Sequence, residues 1–357
     1  MINVGLIGCG RIAEVAHLPC YQRLKGVQVV ALCDFNRTRA KKLSRKFGVA
    51  KTYGSPSELF GKEKLDFVDI CTPGFTHHQL CMEAIQNGVN ILVEKPLALS
   101  VTRAEELDKA SKIKGVKVCV VHDYRFKEPF AKAMSMYKKG KIGKIKEITS
   151  VQHGLSIYSL PSWLWNEQRT GGILYELGIH IVDLQAWFCG KHEKIIGIDT
   201  EFDPKLNYHT SLQAIIKYKS GATGILDLVW FSSSPVFYFD VYGTATDVCI
   251  RLFPERFEVA SGFSLSPTTD FFIEAKRVLA FSKKVLLRQR KKHAIYSFMR
   301  LLSDYVIAIK EDKEPPVSVK SVMNTMRLLE DLRMKVGNFG SEHTLEKTSE
   351  HTRVKRK

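Results

Sequence analysis

An apolar segment, Asn3–Ile7, runs into Gly8-Cys9-Gly10-Arg11-Ile12-Ala13, and helical spacing follows over Ile12–Leu24. No other stretch restricts the fold as much. The first glycine permits a tight turn, and the second lets the backbone approach an anion. The small Ala13 lets the helix pack close on the sheet, so that the helix N-terminus faces a pyrophosphate. The plan repeats downstream. Apolar strands at Val27–Cys33, Phe67–Cys71, Asn90–Glu94 and Val116–Val121 alternate with helical stretches at Thr38–Phe47, His77–Asn87 and Val101–Lys112. Strand–helix alternation predicts a parallel sheet with right-handed crossovers.

The pattern changes after residue 122. A helix over Phe130–Lys139 is followed by strand candidates at Ile145–Val151, Lys194–Thr200, Ser211–Tyr218, Thr223–Phe231, Phe237–Tyr242 and Val248–Leu252. Strands in succession predict a mostly antiparallel sheet. The reading is therefore α/β plus α+β: a dinucleotide-binding Rossmann domain over residues 1–122, an α+β domain over 123–336, and a basic disordered tail over 337–357. A length of 357 residues suits two domains. With 45% apolar and 25% charged residues the bulk is neither disordered nor fibrous. No apolar run approaches the ~18 residues that span a bilayer, and no basic flank precedes the first apolar residues. Eight scattered cysteines without a Cys-x-x-Cys pair imply buried thiols in a reducing cytoplasm, with no metal site.

The charge of +17 favours acidic partners. It concentrates at Arg37–Lys46, at Arg288–His293 and in the tail. Residues 270–290 mix Phe271, Phe272, Ile273, Val278, Leu279 and Phe281 with cations that include Lys276, Arg277, Lys283, Lys284 and Arg288. Such a stretch can lie on an anionic membrane, pack on the second sheet or join copies of the chain. No nucleic-acid motif accompanies the charge.

Asp34 ends the second strand, where a carboxylate accepts hydrogen bonds from ribose hydroxyls and favours NAD. Asp34 could instead cap the next helix. Arg37 could pair with a 2′-phosphate and keeps NADP open. Thr72 and Pro73 follow a strand's carboxyl end, in the crevice where ligands lie; His77 contacts a cofactor or caps the turn. Lys95 ends the Val93-Glu94-Lys95-Pro96 run, beside the nicotinamide half of the crevice, where an ammonium can stabilise a developing alkoxide. Thr170-Gly171-Gly172 opens a helix on which Glu176, His180 and Asp183 share one face at i, i+4 and i+7 spacing. An imidazole there suits proton transfer near neutrality. Arg125, Arg169 and the Trp163-Leu164-Trp165 segment could add charge and stacking to the pocket.

Together, Gly8–Ala13, His17-Leu18-Pro19, Asp34, Thr72-Pro73 with His77, Glu94-Lys95-Pro96, Tyr124-Arg125-Phe126, Gly140–Gly143 and Gly171–Asp183 resemble the Gfo/Idh/MocA family of glucose–fructose oxidoreductases and inositol dehydrogenases over residues 1–335. The resemblance implies a C-terminal open sheet that forms the oligomer interface, a homodimer or homotetramer, and Lys95 with His180 as the catalytic pair. It also implies Gly8, Gly10, Arg11, Ile12, Thr72, Pro73, His77 and Glu94 around the cofactor, and Tyr124 in the substrate pocket. Relatives often have the Lys95–Pro96 peptide cis. Glu176 stands where the family usually has aspartate. Asp123 and Gly74 stand where asparagine is common, and Thr170 replaces a frequent glycine. The implied activity is hydride transfer between NAD or NADP and a secondary hydroxyl or ketone of a sugar, cyclitol or nucleotide sugar. The competing reading is a non-catalytic cofactor-binding sensor or scaffold.

Overall fold

A computed structural model describes residues 1–154, 164, 166–253, 255–260 and 293–353. Six strands, β1 Ile2–Ile7, β2 Val27–Cys33, β3 Lys51–Tyr53, β4 Phe67–Ile70, β5 Asn90–Glu94 and β6 Val118–Val121, form one sheet in the order β3-β2-β1-β4-β5-β6. All of its pairings are parallel. Strand order reverses between β1 and β4, and the crevice outside their carboxyl ends is the ligand position of this topology. Local chemistry marks the crossovers. Asn36 and Ser100 cap helices Arg37–Phe47 and Val101–Lys114 through their side chains. Gly48 and Gly115 end the same helices in the left-handed region.

Seven strands form the second sheet: β7 Ile145–His153, β8 His192–Asp203, β9 Tyr208–Tyr218, β10 Thr223–Val229, β11 Val236–Gly243, β12 Asp247–Leu252 and β13 Glu255–Ala260. Their order is β13-β12-β11-β7-β10-β9-β8, parallel only at β7–β10. One face buries Leu212, Ala214, Ile216, Leu226, Leu228, Phe237, Phe239, Val248 and Ile250 under helix Ile179–Cys189. The other face leaves Ile196, Ile215, Tyr238 and Tyr242 exposed.

Three features differ from the sequence reading. First, the core of the parallel sheet is not built from residues 1–122 alone. Helix His293–Lys310 and the chain after it return to that core with Phe298, Leu301, Leu302, Tyr305, Val317, Val322 and Met326. Val120 N–H donates to the Val317 carbonyl at 2.9 Å, which covers the outer edge of β6. An apolar edge strand needs such a cover. Second, the segment read as a disordered tail continues the last helix, Val319–Arg353. No proline interrupts it. Third, β3 and β13 are short, polar strands whose weak alternation hid them. Trp163, Trp165, residues 270–290 and residues 354–357 lie outside the described residues. All eight cysteines are free, and only Cys249 is not buried.

Candidate active site

The glycine turn forms as its spacing predicts. Gly8 has φ of +98°, and a Cβ there would sit 2.8 Å from the Cys71 main chain. A Cβ on Gly10 would meet nothing within 4 Å, so the backbone is open to a ligand at that residue. Asp34 is buried and held by two backbone donors, Cys9 N–H at 2.7 Å and Asn36 N–H at 2.8 Å. The helix cap is Asn36, not Asp34. An ionised carboxylate has lone pairs beyond these two bonds for ribose hydroxyls. Arg11 and Ile12 are exposed at the helix start. These residues fit a dinucleotide. Arg37 is largely exposed and lies 3.6 Å from Glu58. Thr72 Oγ1 accepts from Thr76 Oγ1 at 2.7 Å. His77 is buried between two carbonyls, with Nδ1 2.6 Å from Pro96 O and Nε2 2.8 Å from Thr72 O. Burial pushes its pKa down, against the pull of both carbonyls. It ties the Thr72-Pro73 turn to the cis Lys95–Pro96 peptide.

The reactive groups meet across the two domains. Lys95 Nζ donates to the Glu176 main-chain oxygen at 3.2 Å and lies 3.8 Å from Glu176 Oε2. The helix carrying Glu176 is not regular. Leu174–Gly178 forms a π-turn before Ile179–Cys189 continues as α-helix. Glu176 lies within this turn and His180 just after it. Single π-turns insert one residue into a helix and recur at functional sites. Glycine packing accompanies the turn: a Cβ on Gly178 would sit 2.5 Å from Leu228.

His180 stacks on Tyr124, with ring centroids 4.3 Å apart and planes at 16°. Lys127 Nζ lies 4.5 Å above the other partner ring of the stack, Tyr124. His180 Nδ1 is buried with no hydrogen-bond partner among the described residues. Burial, then the charges of Lys95, His122 and Lys127, hold its pKa well below the usual imidazole range. The ring is thus a neutral base at pH 7. Burial raises Glu176; Lys95 pulls it down and Glu94 pushes it up.

Arg125 is engaged with Asp183 inside the protein, which departs from the reading of Arg125 as a pocket cation. Arg125 is buried and grips Asp183 through Nε at 2.8 Å and Nη2 at 2.6 Å. Thr325 Oγ1 adds a bond to Asp183 at 2.9 Å. Arg169 lies over the ring of Phe75, just after the Thr72-Pro73 turn, at 3.8 Å. Sequence reasoning missed four groups near the site. His122 faces Asp183 at 3.3 Å, and Lys127 stacks as described. His17 and Asp69 form a buried pair at 2.8 Å. Only His17-Leu18-Pro19 had drawn attention, and nothing in the sequence tied it to Asp69.

A parallel dinucleotide sheet, an α+β domain with an open seven-stranded sheet, and a lysine–glutamate–histidine group between them define a two-domain, dinucleotide-dependent class of protein. Residues 2–122 match the family model described as oxidoreductase family, NAD-binding Rossmann fold, and residues 130–248 match the GFO/IDH/MocA C-terminal domain. The chain belongs to the Gfo/Idh/MocA family. D-apiose dehydrogenase of Paraburkholderia graminis is 27% identical over 228 residues, 64% of this chain and 60% of that protein. Myo-inositol 2-dehydrogenase of Thermotoga maritima is 26% identical over 63% of this chain and 68% of its own. The matched part thus spans less than two thirds of the apiose relative. Among solved structures, the WlbA dehydrogenase of Bordetella pertussis in complex with NADH and UDP-GlcNAcA superposes with a TM-score of 0.79 at 19% identity, covering 94% of this chain and 96% of that one. No described helix is long and apolar enough to cross a membrane.

Proposed function

We propose that the protein transfers a hydride between NAD(P) and a secondary hydroxyl or ketone of a sugar, cyclitol or nucleotide sugar. The observation that carries this is the meeting of Lys95 from the dinucleotide domain with the Glu176–His180 turn of the other domain. Bound nicotinamide supplies the hydride acceptor or donor. Neutral His180 takes the hydroxyl proton of the carbinol, and the Lys95 ammonium stabilises the alkoxide that develops. Glu176 anchors Lys95 through its carbonyl and carboxylate and is placed to accept from a second substrate hydroxyl. Tyr124 holds the His180 ring by stacking. In the reducing direction His180 returns the proton.

Asp34 at the end of β2 favours NAD over NADP, because a buried carboxylate repels a 2′-phosphate. The exposed face of the seven-stranded sheet, with Ile196, Ile215, Tyr238 and Tyr242, suits a second copy of the chain in a homodimer or homotetramer. Free cysteines suit a reducing cytoplasm. A scaffold without turnover has no support in the named relatives, which are dehydrogenases.

Lys95→Ala and His180→Ala test the reading. Each is expected to cut turnover by ~10²-fold or more across a sugar and nucleotide-sugar panel. NADH binding, read by fluorescence, should stay within about threefold for His180→Ala, because that ring touches substrate rather than cofactor. Near-normal turnover in both variants overturns the assignment.

A further inference from the structure

Joined to the Lys95 backbone through Glu94 is a second polar cluster that the proposed reaction does not use. His17 has no exposed surface, yet both of its ring nitrogens face carboxylates. Nδ1 is 2.8 Å from Asp69 Oδ2, and Nε2 is 2.9 Å from Glu94 Oε1. An ionised carboxylate only accepts, and a neutral imidazole donates from one nitrogen alone. Two such contacts are best met by a proton on each nitrogen, and the carboxylates, unlike the neutral carbonyls on either side of His77, bring the negative charge that holds the second proton. Asp69 is fully buried and also accepts the Tyr21 hydroxyl at 2.8 Å. A buried carboxyl requires partners of this kind. Glu94 spends its other oxygen, Oε2, on the Lys95 backbone N–H at 3.1 Å.

Other groups around the ring do not alter this balance. Cys71, the residue after β4, has its Sγ 3.2 Å from His17 Nδ1 and 3.5 Å from Asp69 Oδ1. The neighbouring helix contributes Cys20 and Tyr21, and helix His293–Lys310 covers the ring with Phe298 at 4.1 Å. Tyr305 stands behind Tyr21 and donates elsewhere, to the Ile91 carbonyl at 2.8 Å. Burial pushes the Cys20, Cys71, Tyr21 and Tyr305 groups up, so all four are neutral at pH 7. His17 is the one cation among them. Burial opposes its charge, but Asp69 and its hydrogen bond lift it well above the usual imidazole range. The π-turn Ala13–His17, at the end of which His17 sits, swings the ring inward between β4 and β5.

We infer that His17 is a permanent imidazolium bridging Asp69 and Glu94, and that this charged bridge is the mount that positions Lys95 for the hydride transfer proposed above. Asp69 fixes the charge on His17. His17 holds Glu94 ionised and immobile. Glu94 then grips the Lys95 backbone at the start of the cis Lys95–Pro96 peptide, which sets the direction in which the side chain leaves. His17 and Asp69 are positioning residues, acting through Glu94. The inference concerns the same site as the proposed function and rests on it only for the role of Lys95.

The test uses the full-length chain labelled with ¹⁵N. At pH 8, wild-type His17 should show protons on both ring nitrogens, whereas a neutral ring shows one. Asp69→Asn, which keeps the Tyr21 bond, should convert His17 to the singly protonated form. The Lys95 amide proton, deshielded by Glu94, should move upfield in His17→Gln. Turnover in Asp69→Asn should fall by about tenfold, with KM for NAD nearly unchanged, as a misplaced catalytic group predicts. The alkaline limb of its kcat profile should move down by about one pH unit or more, because a half-neutralised bridge loses its proton earlier. A His17 ring with one proton at pH 8 overturns the inference. So does an unmoved Lys95 amide in His17→Gln, or one equivalent of zinc retained through dialysis against chelator, which would make His17, Asp69 and Cys71 metal ligands instead. A chain that turns over no sugar alcohol strikes the proposed function but leaves the ring protons and the Lys95 amide to decide the bridge.

Discussion

His180 and Asp183 stand three residues apart on one helix and lie in opposite chemical states. Asp183 accepts three hydrogen bonds, two from Arg125 and one from Thr325, and His122 Nδ1 lies 3.3 Å away. His180 has an aromatic wall and an orphaned Nδ1. Burial penalises both, yet Arg125 and His122 hold the Asp183 carboxyl below the usual range while the cations around His180 strip its proton. A saturated buried group is framework, because nothing is left to exchange with a ligand. An unsaturated one is costly unless a ligand completes it, and it is there that chemistry is expected. Asp69–His17–Glu94 repeats the saturated pattern beside the Lys95 backbone.

The largest effect follows from breaking the saturated end. Arg125→Met removes the cation and both hydrogen bonds from a carboxylate that is 1% exposed. Leaving one partner of a buried ion pair unpaired costs about 3–5 kcal/mol. Denaturant unfolding of Arg125→Met should show that loss, with the midpoint moved and the m-value kept. A loss below about 1 kcal/mol would mean that Asp183 finds water or a proton cheaply. The framework reading of this pair would then fail.

Next in size is the pH response of His122, which lies between the two ends. Burial, partly offset by Asp183 and reinforced by Arg125, lowers its pKa to about 4. An unfolded histidine titrates near ~6.5, so between ~6.5 and about 4 the unfolded chain binds the extra proton and the folded chain does not. Stability therefore rises with pH through that window and is lost on acidification, by about 3 kcal/mol for this group alone. His180, also depressed, adds to the same slope. His17, whose pKa is raised, acts in the opposite sense: its contribution is complete below ~6.5 and disappears only as pH climbs through its folded value. His122→Gln should flatten the acid slope measured by urea titration at pH 7 and pH 5. An unchanged slope would remove His122 from the account.

How much of this was legible in the sequence depends on range. The dinucleotide turn was legible because its chemistry is local: Gly8, Gly10 and Ala13 do their work within one loop. The placement of Lys95 near the second domain came from topology, since strand ends at the switch point face one crevice. The spacing rule did not foresee the π-turn at Glu176, because such a turn, here with Gly178 packed against Leu228, leaves no periodic signature. Arg125 and Asp183 are 58 residues apart, and His17 and Asp69 are 52 apart. A single sequence shows neither pair, so Arg125 looked available to a ligand. The return of Phe298 and Tyr305 to the first core was hidden for the same reason.

Thr325 gives the finest discrimination between the two ends. Its Oγ1 donates to Asp183 Oδ1, the oxygen that also takes Arg125 Nη2. Thr325→Val keeps the shape and removes one of several donors. A single hydrogen bond to a charged group contributes about 1.5–3 kcal/mol, and the remaining Arg125 fork should hold the loss near the lower figure. Turnover and the pH profile should stay at wild-type values, because Asp183 keeps its charge and its position and His180 has no bond to either residue. A parallel fall in kcat would show instead that Asp183 conveys its hydrogen bonding to His180 along the helix. The two ends would then be one network, and the division between framework and chemistry would have to be drawn outside this helix, at Lys95.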